Sequence, residues 1–146
     1  MKTNKFQIYL AGKMGGLTYE EMMGWRLLAT KKLHIFSELL NTPINVINPV
    51  NYYNFENIHH QSEREVMDFD LARVAESDLV IANLCEVNTS IGTCIEIYEA
   101  HKRGIPVIGI NCDKNNEIHP WVLCCTNRIE KNLQDTCEYI SNFYFQ

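Results

Sequence analysis

No stretch of this sequence is rich in lysine or arginine, and its formal charge is −5 at pH 7. The chain therefore has no basic footprint for a polyanionic duplex, and nucleic-acid polymers are not expected as partners. A small phosphorylated ligand stays admissible, because a helix N-terminus and one or two local cations suffice to bind it. No apolar run approaches the roughly 20 residues needed to span a bilayer, so no membrane partner is expected. The opening segment Met1 to Lys5 has neither a signal-peptide apolar stretch nor transit-peptide character, which points to a cytoplasmic location. C-x-x-C is missing and Cys124-Cys125 is vicinal, so zinc spacing is absent and no metal site is expected. The six cysteines (Cys85, Cys94, Cys112, Cys124, Cys125, Cys137) then read as buried thiols in a reducing cytosol, and His59-His60 as a solvated loop.

The sequence also lacks internal repeats, low-complexity tracts and linkers. With 146 residues, 46% hydrophobic and 21% charged, it has the size and composition of one globular domain spanning 1–146. Phe6 to Leu10 reads as a buried first strand, closed by Ala11-Gly12 and Gly15-Gly16. Thr18 with Glu21 forms a capping box for a helix from Tyr19 to Leu33 or Leu40, with Met22, Trp25, Leu28, Ala29 and Leu33 on its core face. Ile44 to Ile47 is a second strand, stopped by Asn48-Pro49. The loop Val50 to Gln61 carries Asn51, Tyr52, Tyr53, Asn54, Phe55 and Asn57, which either line a site or cover the core.

Ser62 with Glu65 caps the next helix, which runs through Met67, Leu71 and Val74 to Glu76. Leu79 to Leu84 is nearly continuous apolar sequence, the mark of a central parallel strand buried on both faces. Gly92-Thr93 opens a helix that Gly104 terminates, and Val107 to Ile110 is a further buried strand. A short helix at His119 to Cys125, a brief strand at Arg128-Ile129 and a closing helix from Leu133 to Phe143 complete the pattern. Alternating strands and helices imply an α/β fold: a doubly wound parallel sheet of about five strands in three α/β/α layers, with ligands at the strand carboxyl ends near the topological switch point.

Three loops leave those ends, Ala11 to Thr18, Asn48 to Gln61 and Cys85 to Ile91, and they should converge. Glu96 falls about one turn inside the helix that follows the third loop. A carboxylate there can serve as a nucleophile while Ser90 and the first-turn amides hold a substrate oxygen, although the helix dipole alone also favours an acid near a helix start. Read from the residues only, Asp70 also fits an exposed helix acid, Lys13 is equally a solvated side chain, and a tyrosine in a buried strand such as Tyr9 is more often core than catalyst. The first loop, Gly12-Lys13-Met14-Gly15-Gly16, is neither a Walker A sequence nor G-x-G-x-x-G.

In order along the chain stand Ile8-Tyr9-Leu10-Ala11-Gly12, Asp70-Leu71 before Ser77-Asp78-Leu79-Val80-Ile81-Ala82, Ser90-Ile91-Gly92-Thr93-Cys94-Ile95-Glu96-Ile97-Tyr98-Glu99-Ala100, and Gly104-Ile105-Pro106-Val107-Ile108. Together they resemble the nucleoside 2-deoxyribosyltransferase family, including related deoxynucleoside 5'-monophosphate N-glycosidases, from about Ile8 to Ile110. The resemblance implies a flavodoxin-like fold and a double displacement in which Glu96 attacks the anomeric carbon, a glycosyl-enzyme forms, and a second base or water takes the sugar. Tyr9 matches the tyrosine that orients the glutamate, and Asp70 the aspartate that handles the departing base and its proton. Gly12, Lys13, Ser90, Gly92 and Thr93 are the matching substrate-binding positions. The partners implied are a nucleoside or nucleotide and a free nucleobase; no cofactor is implied.

One position departs from the transferase pattern. Six residues before the glutamate, transferases of free nucleosides carry an aspartate for the sugar 5'-hydroxyl, and here stands Ser90, which resembles the monophosphate hydrolases. Lys13 would supply complementary charge to a 5'-phosphate. The resemblance further implies a homodimer or higher homo-oligomer in which a neighbouring subunit completes the site through His119-Pro120-Trp121-Val122. Trp121 reads first as a core tryptophan and second as such an interface or base-stacking residue. The contrasting function is a nucleotide-sensing module of the same fold without turnover. A receiver domain would need an acidic cluster after the first strand and a flavin binder a Ser/Thr-rich loop, and Ala11-Gly12-Lys13-Met14 provides neither.

Overall fold

Strands β1 (Phe6–Ala11), β2 (Ile44–Ile47), β3 (Leu79–Asn83), β4 (Val107–Ile110) and β5 (Arg128–Glu130) pair all-parallel in the order β2-β1-β3-β4-β5. This is a computed structural model, and it describes residues 4–53 and 59–145. Asn54, Phe55 and Asn57 of the long loop lie outside the described residues. The near-continuous apolar runs follow from burial on both faces of the sheet. Ile8, Leu10 and Ile81 face α1 (Tyr19–Leu39) and α5 (Leu133–Tyr144), whereas Tyr9, Ala11 and Val80 face α2 (Glu63–Ala75) and α3 (Ile91–Lys102). Three α/β/α layers result, as the alternation of elements predicts. No helix among the described residues is long and apolar enough to cross a membrane.

Local chemistry places the ends of these helices. Thr18 Oγ1 accepts from Glu21 N at 3.1 Å and Glu21 Oε1 accepts from Thr18 N at 3.2 Å, the full capping box. Ser62 Oγ accepts from Glu65 N at 3.2 Å at the start of α2. Gly104 takes φ +73°, the left-handed turn that ends α3. The long loop opens with a 3-10 turn, Pro49–Tyr52, and another, Val87–Thr89, precedes α3. A short helix, α4 (Pro120–Cys124), follows β4.

The expected core face of α1 holds for Met22, Ala29 and Leu33, with Trp25 half-buried against the core, and fails at Leu28. Leu28 is 49% exposed, and the buried positions are Met22, Met23, Arg26, Ala29, Leu33 and Ser37. A strongly polar residue thus occupies the inner stripe, because its guanidinium finds carbonyl partners there. The cysteines depart from the burial expected of them: only Cys137 is buried, Cys94 and Cys125 are half-buried, and Cys85, Cys112 and Cys124 are exposed. All six are free thiols. His59 is exposed as expected, whereas His60 is half-buried with its ring edge-on to Tyr53.

Candidate active site

The chain runs from β1 outward to β2 and then back across β1 to β3, so the loops after β1 and β3 part at their carboxyl ends. That is the switch-point crevice of an open parallel sheet. It holds a cleft of about 340 Å³ bounded by Gly12 and Lys13 from the first loop, Ser90, Gly92, Thr93 and Glu96 from the start of α3, and Asp70 from α2. The three elements converge although Asp70 and Glu96 reach the cleft from separate helices.

Glu96 is half-buried, and Tyr9 Oη donates to its Oε2. Tyr9 itself is fully buried under the cleft: its ring packs in the sheet layer and its hydroxyl reaches the carboxylate. Donation to Oε2 leaves Oε1 as the second oxygen of Glu96. Burial pushes the Glu96 carboxyl up to about 8, with the Asp70 charge acting in the same direction, while the Tyr9 bond and the Arg26 charge oppose it. Burial, followed by the Glu96 and Asp70 charges, pushes the Tyr9 phenol upward, which keeps it a donor.

Asp70 is half-buried and raised above the usual aspartate range by burial, against the Tyr53 hydrogen bond and the Arg26 charge. Tyr53 Oη donates to Asp70 Oδ1 at 2.6 Å. The cleft therefore contains two carboxyl groups whose charged forms are disfavoured, an arrangement suited to proton transfer at neutral pH.

Beneath them lies Arg26, with no exposed surface. Its Nη1 donates to Met22 O at 2.7 Å, its Nη2 to Gly12 O at 3.0 Å and its Nε to Leu10 O at 3.4 Å, and the guanidinium carbon sits 4.8 Å from the Trp25 ring centroid. Burial lowers the guanidinium to about 10, while the neighbouring Glu96, Tyr9 and Asp70 charges favour its cationic form. Arg26 is thus a fixed cation under the carboxylates and a clamp on the first loop. Gly12 is required by this packing, since a Cβ there would lie 2.9 Å from Trp25 Cζ2.

At the start of α3, Ser90 is buried, and its hydroxyl pairs with Thr93 Oγ1 at 2.7 Å instead of capping the helix. The first-turn amides consequently have no side-chain cap among the described residues, and an oxygen-rich ligand can take their place. Lys13 lines the cleft and is paired with Glu86 at 3.3 Å. That pair is on the surface and weak, so it competes only modestly with an anionic ligand for the lysine.

Trp121 is not a core residue. It is 80% exposed on α4 and lies outside the cleft, along an apolar groove of about 490 Å³ shared with Ile91, Ile95 and Tyr98. Ile91 borders both the groove and the cleft. The structure brings Glu96, Asp70, Gly12, Lys13, Ser90, Gly92 and Thr93 together, with Tyr9 bonded beneath, and leaves Trp121, expected as a substrate-binding position, outside the cleft. Arg26 is not among the residues singled out from sequence, and Tyr53 stood there only as one of several loop residues that either line a site or cover the core. Arg26 carries a usable signal, since positions 22, 26, 29 and 33 of α1 form one helical stripe.

No family model matches the chain, and no curated protein matches it by sequence. Solved structures do match its fold. A conserved protein from Enterococcus faecalis V583 superposes with TM-score 0.76 at 16% identity, over 94% of this chain and 98% of its own. A 2-deoxyribosyltransferase from Bacillus psychrosaccharolyticus gives 0.65 at 16% identity, over 91% of each chain. A CMP N-glycosidase from Clostridium botulinum gives 0.54 at 18% identity, over 94% of this chain and 99% of its own. The likeness is one of fold across nearly the whole chain.

Proposed function

We propose that this protein is a nucleoside 2-deoxyribosyltransferase-like enzyme that cleaves the N-glycosidic bond of a 2'-deoxynucleoside or its 5'-monophosphate through a covalent glycosyl-Glu96 intermediate. The observation that carries the reading is the Glu96 carboxyl, bonded to Tyr9 and facing Asp70 across the switch-point cleft. A structural neighbour named as a 2-deoxyribosyltransferase and another named as a CMP N-glycosidase support the same class of chemistry.

In the first half-reaction Glu96 Oε1 attacks C1' as the C1'–N bond breaks, and Asp70 gives its proton to the departing base. The carboxylate supplies negative charge where the oxocarbenium-like transition state develops positive charge. A second base or water then attacks C1' and frees Glu96. Arg26 favours the ionised carboxylates through the low-dielectric interior, and Tyr9 holds Glu96 in line. Lys13, Ser90 and the uncapped amides of α3 receive the sugar 5' end; serine and lysine there favour the monophosphate, whose charge an aspartate would repel.

A second copy of the chain completes the assembly in this reading, seated on the groove of Ile91, Tyr98 and Trp121. A solvent-facing tryptophan beside an exposed isoleucine and tyrosine is the composition of an interface centre. The alternative, nucleotide binding without turnover, has no need of two carboxyl groups held in raised-pKa surroundings. The test is incubation of the protein and of Glu96→Ala with 2'-deoxynucleosides and their 5'-monophosphates, each with and without a second base, followed by chromatography. Base exchange identifies a transferase and release without exchange a hydrolase. Absence of turnover, or a fully active Glu96→Ala, overturns the proposal.

A further inference from the structure

Asp70 sits on a helix that buries little of itself: Val74 is the buried residue of α2. Nothing in that helix fixes the Asp70 side chain. What fixes it comes from the end of β2. There Asn48 Oδ1 accepts from Val50 N at 3.1 Å, and buried Pro49 and Val50 anchor the 3-10 turn from which Tyr53 projects. The Tyr53 ring stands edge-on to Phe69 at 6.3 Å and to His60 at 5.7 Å. Its hydroxyl lies 2.6 Å from Asp70 Oδ1 and 3.3 Å from Val66 O, one turn earlier on the same helix. Among the described residues it is the hydrogen-bond donor to Asp70. Each carboxyl group of the cleft is therefore held by a tyrosine from a different element, Glu96 by Tyr9 of β1 and Asp70 by Tyr53 just after the 3-10 turn that follows β2.

We propose that Tyr53 is the positioning residue of Asp70: by occupying Oδ1 it makes Oδ2 the oxygen that carries the proton to the departing base. The proposal rests on the glycosidic reading above. A carboxyl group that accepts a hydrogen bond at one oxygen carries its proton on the other. As the C1'–N electron pair passes to the base and the C1'–Oε1 bond forms, the Oδ2 proton moves to a ring nitrogen of the base. Asp70 is left as a carboxylate, whose new charge strengthens the Tyr53 O–H bond at Oδ1. The proton returns to Oδ2 from the N–H of the incoming base, or from water, when the Glu96 ester is broken. Tyr53 keeps its own proton throughout, in agreement with the upward push on its phenol from burial and from Asp70.

A residue that acts only through the acid of the leaving-group step is needed in proportion to how much the base requires a proton. The experiment compares the parent, Tyr53→Phe and Asp70→Asn on matched substrates: 2'-deoxyguanosine with its 7-methyl derivative, whose cationic base departs without a proton, and 2'-deoxyuridine with its 5-nitro derivative, in the phosphorylation state that the parent accepts. Tyr53→Phe is expected to slow release of the unactivated base about tenfold, the worth of one hydrogen bond to a charged group, and release of the activated base by no more than about twofold. Asp70→Asn should show the same selectivity with a larger loss, about a hundredfold or more. Equal losses on activated and unactivated substrates, or no loss on either, overturn the role of Tyr53 while leaving the glycosidic reading standing. No base release by the parent from any of the four overturns both.

Discussion

Tyr9 and Glu96 are 87 positions apart in the chain and are joined by a hydrogen bond from the phenol to Oε2. One partner belongs to the buried face of β1 and the other to the first turns of α3, so the bond ties the sheet to the helix that bounds the cleft. Removing the hydroxyl with Tyr9→Phe keeps the ring that fills the core and takes away a donor that favours the Glu96 anion. Single-turnover base release should slow roughly 10- to 100-fold with little change in melting temperature. A variant as fast as the parent would remove Tyr9 from the reaction.

Glu96 and Asp70 titrate as a pair, and the productive form holds one proton, on Asp70, with Glu96 ionised. Burial, reinforced by the Asp70 charge, places loss of the last proton at about 8, so kcat/KM should fall above about pH 8. In Asp70→Asn the charge that raises Glu96 is gone, so Glu96 ionises at lower pH and the alkaline fall disappears. Profiles of the parent on matched substrates test this: the alkaline fall should appear with an unactivated base and be absent with an activated one, and an equal fall on both, or a retained alkaline limb in Asp70→Asn, contradicts it.

Stability should carry the same signature. A carboxyl raised from 4.5 to about 8 retains in the native chain a proton that the unfolded chain has lost, so native stability declines as pH rises through that window. Glu96→Gln abolishes this contribution. Because the carboxylate keeps contact with solvent in the cleft, the difference is on the order of 1–3 kcal/mol, favouring the variant above pH 8 and vanishing below the ordinary glutamate value. Thermal melts of both proteins across the pH range measure it, and parallel curves would argue against a destabilising Glu96 charge.

Arg26→Leu leaves the carbonyls of Leu10, Gly12 and Met22 without their donor in a buried setting. A loss of about 2–4 kcal/mol follows from unsatisfied buried acceptors. Lysine cannot reproduce a planar fork, so Arg26→Lys should rescue little. Denaturant unfolding gives the numbers, and a variant within about 0.5 kcal/mol of the parent would show the clamp to be dispensable.

Trp121→Ala should leave the monomer folded, since the indole is solvent-facing, and should shift a homo-oligomer to monomer in light scattering with chromatography. A parent protein that is monomeric at micromolar concentration contradicts the interface.

What the sequence by itself determined is local. Apolar runs buried on both faces mark β1, β3 and β4; Thr18 with Glu21 and Ser62 with Glu65 mark helix starts; and Gly104 marks a helix end. Each depends on chemistry within a few residues, whereas Glu96 stood out only through the order of several segments between Ile8 and Ile110. Tertiary structure decided the rest. Tyr9 has its ring in the core and its hydroxyl on a partner in α3, a pairing that its own segment does not reveal. Arg26 is inside because three carbonyls from β1, its loop and α1 meet there, whereas Leu28 lies off the stripe of Met22, Arg26, Ala29 and Leu33 and is left in solvent. Tyr53 was one aromatic among several in a loop until its hydroxyl met Asp70. Trp121 looked like core by residue type, yet a short helix at the edge of the α3 face leaves it in solvent. In each case the deciding partner is distant in sequence or lies on another element, and residue type carries no record of it.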